Sequence, residues 1–211
     1  MNAIFSIAYL PPIEYFTLLS KCEYASVEKK ENFIKQTYRN RTLIPSANGI
    51  LPLSIPVCKN GIHNCPIDLV EIDYTTPWQR VHWRALEAAY NASPYFLYYR
   101  DDFAPFYKQK DFKYLFDFNW HLLQLLLKLF NMQVNLHTTE DYCPTPENDF
   151  RYIISPKQRL KANYAFKISQ TYRQVFADKF DFQANMSCVD LLFNQATEAK
   201  KYIMQLEFDS K

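Results

Sequence analysis

The chain has 211 residues, and its 24 Lys and Arg residues against 22 Asp and Glu residues leave a net charge of only +2. Because the two signs are interspersed, the sequence predicts no basic surface for nucleic acid, and we expect no nucleic-acid partner. Hydrophobic residues make up 48% of the chain, enough for one domain over residues 1–211, and no signal segment or membrane span is apparent. The odd number of cysteines, five, suits a reducing compartment, so we expect free thiols and a cytoplasmic protein.

The first part of the chain is predicted to combine strands with one helix. A short apolar run over 3–9 indicates a buried strand, which two prolines end before a helix opens at Ile13. Residues 23–29 fit a second strand. The turn residues of 45–49, between apolar arms, predict a β-hairpin whose proline-containing second arm, 51–57, is an edge strand.

Helices are predicted to dominate from residue 76 onwards. A Thr-Pro start at Thr76 indicates a helix that reaches Tyr90. Apolar residues at spacings of three and four predict a core helix after Asp111 that ends near Asn131. The segment 187–190 matches a capping box ahead of one last helix to Leu206.

Two further segments complete the predicted architecture. Residues 67–74 alternate apolar and acidic side chains, which is typical of a half-exposed strand. Residues 138–149 are polar and contain two prolines, which predicts a long surface loop. Taken together, the elements predict an α/β fold with a mixed or partly parallel sheet covered by helices.

Several kinds of chemistry are excluded by composition. The only glycines are Gly49 and Gly61, so no glycine-rich loop can cradle a phosphate, and we expect no nucleotide cofactor. No serine elbow or glycosidase carboxylate pair is recognisable. Cys58, His63 and Cys65 could ligate zinc, but no second pair of ligands lies nearby, so we expect a surface turn and no metal.

His82 is the candidate acid or base. It lies at helical spacing with Trp78 and Leu86, on the face that should be buried. A buried imidazole with a shifted pKa can act in proton transfer, but it can equally be a core histidine with its hydrogen bonds satisfied. The sequence leaves both readings open.

Two polar or aromatic segments are candidate ligand sites. Residues 35–41 hold three cations, two side-chain amides and a phenol, a set that could bind a phosphorylated or carboxylated ligand or could form a solvated strand edge. Residues 90–107 combine eight aromatic rings with Asp101 and Asp102, which could hold a sugar or could form a packed aromatic core.

An ordered set of segments resembles the WbqC-like protein family, in its short form, over nearly the whole chain. The matching segments are Tyr9-Leu10-Pro11-Pro12-Ile13-Glu14-Tyr15-Phe16, Gln36-Thr37-Tyr38-Arg39-Asn40-Arg41, Asn48-Gly49, Leu53-Ser54-Ile55-Pro56-Val57, Trp78 with His82, Tyr90-Asn91-Ala92-Ser93-Pro94-Tyr95-Phe96, and Asp190-Leu191-Leu192-Phe193-Asn194.

This resemblance implies a bacterial cytosolic enzyme, a group transferase, in surface-polysaccharide (O-antigen) or sugar-nucleotide metabolism. It carries over Tyr15, Asn40, Arg41 and Asn48 as substrate-binding residues for a sugar nucleotide or another anionic small molecule, and His82 as the catalytic residue. Longer relatives resemble nucleotidyltransferases with a His-Gly-His phosphate site, but residues 11–16 here contain neither histidine nor glycine. The alternative is a non-catalytic binding or assembly protein that keeps the fold.

Overall fold

The computed structural model describes residues 1–59, 62–156, 164–167 and 170–210, with side chains for all of these except 164–167 and 208–210. Its regular elements follow in chain order: β1 (Asn2–Ser6), α1 (Ile13–Leu19), β2 (Tyr24–Glu28), β3 (Arg41–Ser46), β4 (Gly49–Ser54), α2 (Trp78–Tyr90), α3 (Phe96–Lys108), α4 (Leu115–Leu129), β5 (Asn135–Thr138), β6 (Tyr164–Lys167), α5 (Cys188–Gln195), α6 (Ala199–Gln205) and β7 (Glu207–Ser210).

A three-stranded parallel sheet in the order β1-β2-β5 forms the centre of the fold. Phe5 lies opposite Val27, and Ala25 lies opposite Leu136. Side chains of β1 are buried on both faces of the sheet, as expected for a parallel strand that is covered on both sides. This sheet, together with the helices, confirms the predicted α/β class.

The predicted hairpin is also present. Strands β3 and β4 pair antiparallel, with Arg41 opposite Ser54 and Ser46 opposite Gly49. Gly49 has a φ of 102°, which residues with a side chain rarely adopt, so this glycine permits the tight turn. A second antiparallel pair, β6 with β7, follows from no sequence signal that we recognised.

The helices cover the sheet with aromatic and aliphatic side chains. The predicted core helix is α4, which buries Leu115, Phe118, Leu122 and Leu126. Helix α3 was not predicted, although its buried rings recur at spacings of three and four, because its many aromatics and Pro105 mask the helical pattern. Buried hydrophobic residues from all these elements form one continuous core. Within the described part of the chain, no helix has the length and apolarity needed to cross a bilayer.

The predicted strand at 67–74 is wrong. A 3₁₀ turn occupies Ile67–Leu69, and only Glu71 and Ile72 make isolated bridges beyond it. Ile67 and Val70 are both buried at a spacing of three, so the apolar residues fit a turn that packs on the core rather than an alternating strand.

The predicted last helix is two helices. Ala196 has a φ of 44°, which ends α5, and a 3₁₀ turn over Ala196–Glu198 leads into α6. The predicted capping box does not form, because the Ser187 hydroxyl donates to the Leu10 carbonyl at 3.0 Å instead of capping α5. The hydroxyl therefore ties α5 to the turn after β1.

A buried network of charges lies at the carboxyl ends of β1 and β2. Arg39 forms a two-pronged ion pair with Glu31, and both side chains are at least 95% buried. The Ser6 hydroxyl accepts from Arg39 at 2.7 Å and lies 3.1 Å from a Glu31 oxygen. Arg151 lies 3.5 Å from Glu28 in a second buried pair. The pairs join the strand ends, the 31–39 segment and the loop that precedes Arg151.

We predict that Arg39→Met lowers the free energy of unfolding by about 3–5 kcal/mol, because it leaves the Glu31 carboxylate buried without its partner. Urea unfolding measures the effect. The control is Glu71→Gln, which removes the exposed Lys113–Glu71 pair and should change stability little. Equal stability losses in the two variants would contradict a structural role for the buried pair.

Another buried carboxylate, that of Asp190 on α5, accepts hydrogen bonds from the segment that leads into that helix. Tyr172 donates to it at 2.6 Å and Gln174 at 2.8 Å. Burial raises the pKa of Asp190 to about 6, against the opposite effect of these hydrogen bonds. The pKa of Asp190 is higher in the folded chain than in the unfolded chain. Protonation of Asp190 therefore stabilises the fold, and this contribution is fully present below pH 4 and is lost as pH rises through 6.

Asp190→Asn should therefore change the pH dependence of folding. Between pH 4 and pH 7 the wild-type free energy of unfolding should fall by about 2 kcal/mol relative to that of the variant. Urea unfolding at four pH values across this window measures the difference. Asp102→Asn, on the exposed face of α3, is the matched control. A parallel pH profile for wild type and Asp190→Asn would contradict the prediction.

Candidate functional site

A pocket of about 370 Å³ lies between the 33–41 segment and the end of the hairpin. We call it the hairpin pocket. One wall is apolar and includes Phe33, Ile55 and Val57; the polar residues at its rim include Lys35, Gln36, Asn40, Arg41, Ser54, Lys59 and Asp73. The volume lies within the range of small-molecule sites in proteins.

The turn at 34–37 sets one side of the hairpin pocket. The Thr37 hydroxyl donates to the Ile34 carbonyl at 2.7 Å and closes the turn. Gln36 has a φ of 59°, in the left-handed region that a residue with a side chain enters rarely. The turn presents Lys35 and Gln36, both exposed, at the mouth of the pocket.

Asn40 is fixed against the chain beyond β4. The Ile55 amide donates to the Asn40 carbonyl at 2.8 Å, and the Asn40 Nδ2 donates to the Ile55 carbonyl at 2.9 Å. Because Nδ2 is engaged, the orientation of the amide is set, and Oδ1 accepts no hydrogen bond from the described residues. Asn40 therefore brings a rigid amide to the pocket wall.

Arg41 supplies a fixed positive charge beside this amide. Its Nε donates to the Ser54 hydroxyl at 3.0 Å, across the first pair of the β3–β4 ladder. Among the described residues, Arg41 has no carboxylate within ion-pair distance, so its terminal amino groups are not neutralised by an acidic neighbour. A guanidinium in this state suits a phosphate or carboxylate ligand.

The charges at the pocket are predominantly positive. Lys35, Arg41 and Lys59 face one carboxylate, Asp73. Hydrogen bonds from Thr75 lower the pKa of Asp73, so this group is ionised at neutral pH. Arg41, which has no carboxylate within ion-pair distance among the described residues, leaves a positive charge at the pocket that attracts anionic ligands.

His82 lies behind the pocket, in the aromatic core. Its Nδ1 is 2.9 Å from the Tyr9 hydroxyl, and its ring packs against the rings of Tyr9 and Trp78. Burial lowers the pKa of His82 to about 4, and a hydrogen bond to the Ser54 backbone acts in the opposite direction. The imidazole is therefore neutral at pH 7 and does not line the cavity.

Tyr15 and Asn48 lie apart from the hairpin pocket. The Tyr15 hydroxyl donates to the Ser6 carbonyl at 3.0 Å, next to the buried charge network. A small cavity there, bordered by Tyr15 and Arg39, measures about 10 Å³, which is room for a single water at most. Asn48 is exposed at the tip of the hairpin. Of the five predicted site residues, the structure brings together Asn40 and Arg41.

Several residues of the pocket were missed in the sequence, above all Ser54, Lys59 and Asp73. One signal was available for Ser54: the short turn around Gly49 fixes the hairpin register, and that register places Ser54 opposite Arg41. No comparable signal exists for Asp73, which reaches the pocket through an irregular segment. The described residues contain no group of three or more His, Cys, Asp or Glu side chains that could hold a metal ion.

Comparison with known proteins places these features in a family. The family model of the WbqC-like proteins matches residues 8–167, which include the 33–59 segment and Asp73 of the pocket. The uncharacterized protein Rv1507c of Mycobacterium tuberculosis (strain ATCC 25618 / H37Rv) is 25% identical over 226 aligned residues, covering 95% of this chain and 96% of that protein. No solved structure matches the chain. Since the family model covers well over half of its length, the chain belongs to the WbqC-like protein family.

Proposed function

We propose that the hairpin pocket binds a phosphorylated small molecule of the sugar-nucleotide class. We further propose that the protein serves as a cytoplasmic group transferase in bacterial surface-polysaccharide or sugar-nucleotide metabolism. The observation that carries the binding step is Arg41, held by Ser54 at the pocket with no acidic partner among the described residues. The group-transfer step and the pathway rest on the family resemblance alone.

The two walls of the pocket match the two parts of such a ligand. Arg41 and Lys59 offer donors to the oxygens of a phosphate or diphosphate. The apolar wall around Phe33 and Ile55 offers a surface for a sugar ring or a base. A pocket of this volume holds part of a sugar nucleotide, so the remainder would extend into solvent.

Arg41→Met should weaken binding about 10- to 100-fold, since a charge-assisted hydrogen bond to a phosphate is worth roughly 1.5–3 kcal/mol. A thermal-shift screen of nucleoside diphosphates and their sugar conjugates identifies a ligand, and isothermal titration calorimetry measures its affinity for each variant. Arg41→Lys should lose part of the affinity, because a lysine keeps the charge but not the planar pair of donors.

The matched control is Arg84→Met, which removes an exposed arginine of α2 outside the pocket lining. It should bind as wild type does. Equal affinity in Arg41→Met and wild type, or an equal loss in Arg84→Met, would show that the pocket is not the binding site. If no phosphorylated compound stabilises the wild type, the proposed ligand class is wrong.

A second candidate function, that of a non-catalytic binding or assembly protein, is favoured by an exposed apolar surface at the start of α3. Tyr95, Leu97 and Tyr98 are 39%, 65% and 77% exposed. Tyrosine is enriched at the centres of protein interfaces, and an exposed leucine beside it adds apolar area. They belong to residues 90–107, the aromatic segment for which the sequence allowed either a sugar site or a packed core.

If this surface mediates self-assembly, light scattering should give a mass above that of the 25.1 kDa chain. The double replacement of Leu97 and Tyr98 by Ser should then return the protein to a monomer without lowering its melting temperature, because both side chains are exposed. Val81→Ser, which removes an exposed apolar side chain of α2, is the control. A wild-type monomer at all concentrations would remove the support for self-assembly.

A further inference from the structure

Strand β5 has an open edge. It is the last strand in the sheet order β1-β2-β5, and β2 is its neighbour on one side. The Thr139 amide donates to the Val27 carbonyl at 3.1 Å, and Val27 lies opposite Thr138. Because alternate residues of a strand direct their N–H and C=O groups to the same side, those of Leu136 and Thr138 point away from β2. No group of the described residues bonds to them.

The two edges of this sheet differ. At the other edge, the Ile4 amide donates to the Asn148 carbonyl at 2.9 Å, and the Ile4 carbonyl accepts from the Phe150 amide at 2.8 Å. The chain therefore covers the β1 edge with its own loop. Along the β5 edge, residues 133–139 contain no Lys, Arg, Asp, Glu or Pro, the residues that usually keep strand edges apart. A strand edge of this kind is a template for another strand.

An open groove of about 490 Å³ lies beside this edge, between β5 and α4. Its apolar side chains include Leu127 of α4 and Val134 and Leu136 of the β5 segment. Since Leu136 and Thr138 are two apart, they project from the same face of the sheet. A strand added next to β5 would place its own side chains of that face over the groove.

The charges at the two ends of β5 have opposite signs. Near its first residue, Lys200 Nζ donates to the Asn131 carbonyl at 2.8 Å, and Lys128 is exposed in the last turn of α4. Beyond its last residue, Glu140 and Asp141 are exposed. The nearest cation to Glu140 is that of Lys29, at 4.0 Å.

This charge arrangement favours a second copy of the chain as the occupant of the edge. A two-fold axis pairs a strand with itself in the antiparallel direction. The cationic end of each β5 then lies beside the acidic end of the other, so the same favourable contact forms twice.

We propose that two copies of this chain associate through their β5 strands, antiparallel about a two-fold axis at His137. This register sets Leu136 of each copy opposite Thr138 of the other and uses the open backbone groups of Asn135–Thr138. The two His137 side chains, which are exposed, face each other at the axis. The surface contains no residue of the hairpin pocket, so the proposal does not depend on a ligand there.

Sedimentation of the wild type should show association from the 25.1 kDa monomer to a dimer of twice that mass as concentration rises. His137→Glu and His137→Lys each place two like charges opposite one another, so each should weaken the dimer about tenfold or more. An equal mixture of the two variants should associate again, because it brings opposite charges together at the axis. His137→Gln, which is neutral, is the control and should associate as wild type does.

Restored association in the mixture also shows that both variants are folded, since an unfolded chain supplies no strand edge. A wild type that stays monomeric at every concentration, or a His137→Glu variant that associates as wild type does, would overturn the proposal. The double replacement of Leu97 and Tyr98 by Ser should leave this dimer intact. If it abolishes the dimer while His137→Glu retains it, the α3 surface joins the copies and the proposal is wrong.

Amide hydrogen exchange followed by NMR tests the register directly. In the wild type, exchange at Leu136 and Thr138 should slow about tenfold or more as the dimer forms, because their amides become hydrogen-bonded. The amides of His137 and Thr139, which face β2, should exchange slowly at all concentrations and in His137→Glu as well. Fast exchange at Leu136 and Thr138 in a sample that sediments as a dimer would show that the copies meet elsewhere.

Discussion

The buried ion pair of Arg39 with Glu31 is the interaction on which the arrangement of this fold depends. Two charges at least 95% buried are tolerated only when each is paired, and here the guanidinium also reaches Ser6 at the end of β1. The Arg39 carbonyl accepts from Asn119 of α4 at 2.8 Å, so the same residue is tied to a helix on the other side. Glu31, Ser6 and Asn119 thus fix the position of Arg39. The next two residues, Asn40 and Arg41, are therefore held in place at the pocket.

The same network explains why no ligand pocket opens at the carboxyl ends of the parallel strands. In open α/β sheets, ligands usually bind at the carboxyl ends of the strands. Here Glu28 and Ser6 occupy those ends, and Arg151 with the loop before it lies across them. The cavity that remains holds about 10 Å³. Ion pairs and a covering loop therefore fill the customary site, whereas the hairpin beside the sheet has an open pocket of about 370 Å³.

The sequence predicted the elements whose signals are local. The turn at Gly49 and the apolar spacing of α4 depend on neighbouring residues, and both appear as predicted. The signals that failed depend on distant contacts. Ser187 has the sequence of a helix cap, but a carbonyl of Leu10 competes for its hydroxyl. In residues 67–74 the buried residues Ile67 and Val70 are three apart and Leu69 is exposed, so the alternation was misjudged, and in the described part of the chain only isolated bridges pair this segment. Tertiary structure therefore overrode the cap signal of Ser187, whereas the strand prediction rested on the wrong spacing.

For the candidate site too, the sequence indicated which neighbouring residues share a place but not the contacts between distant residues. Asn40 and Arg41 are neighbours in sequence and line the same pocket, and their role in binding stays a prediction. Tyr15 and Asn48 do not join that cluster, because Tyr15 lies on α1 with its hydroxyl bonded to the Ser6 carbonyl and Asn48 lies at the exposed tip of the hairpin. His82 shows the limit most clearly. Helical spacing placed it on the buried face of α2, but the spacing carries no information about Tyr9, the hydrogen-bond partner of its Nδ1.

The contacts of His82 also account for a polar chain inside an otherwise aromatic core. Hydrophobic packing alone would favour a phenylalanine at this position, since an imidazole gains little from burial and its ring loses hydration. Part of that cost is offset at Nδ1, which lies 2.9 Å from the Tyr9 hydroxyl, and the Tyr107 hydroxyl lies 2.9 Å from that of Tyr9. A hydrogen-bonded polar group favours one arrangement of its neighbours, whereas apolar rings tolerate several. The histidine therefore fixes how α2 packs against Tyr9, in the segment after β1, and through Tyr9 against Tyr107 of α3.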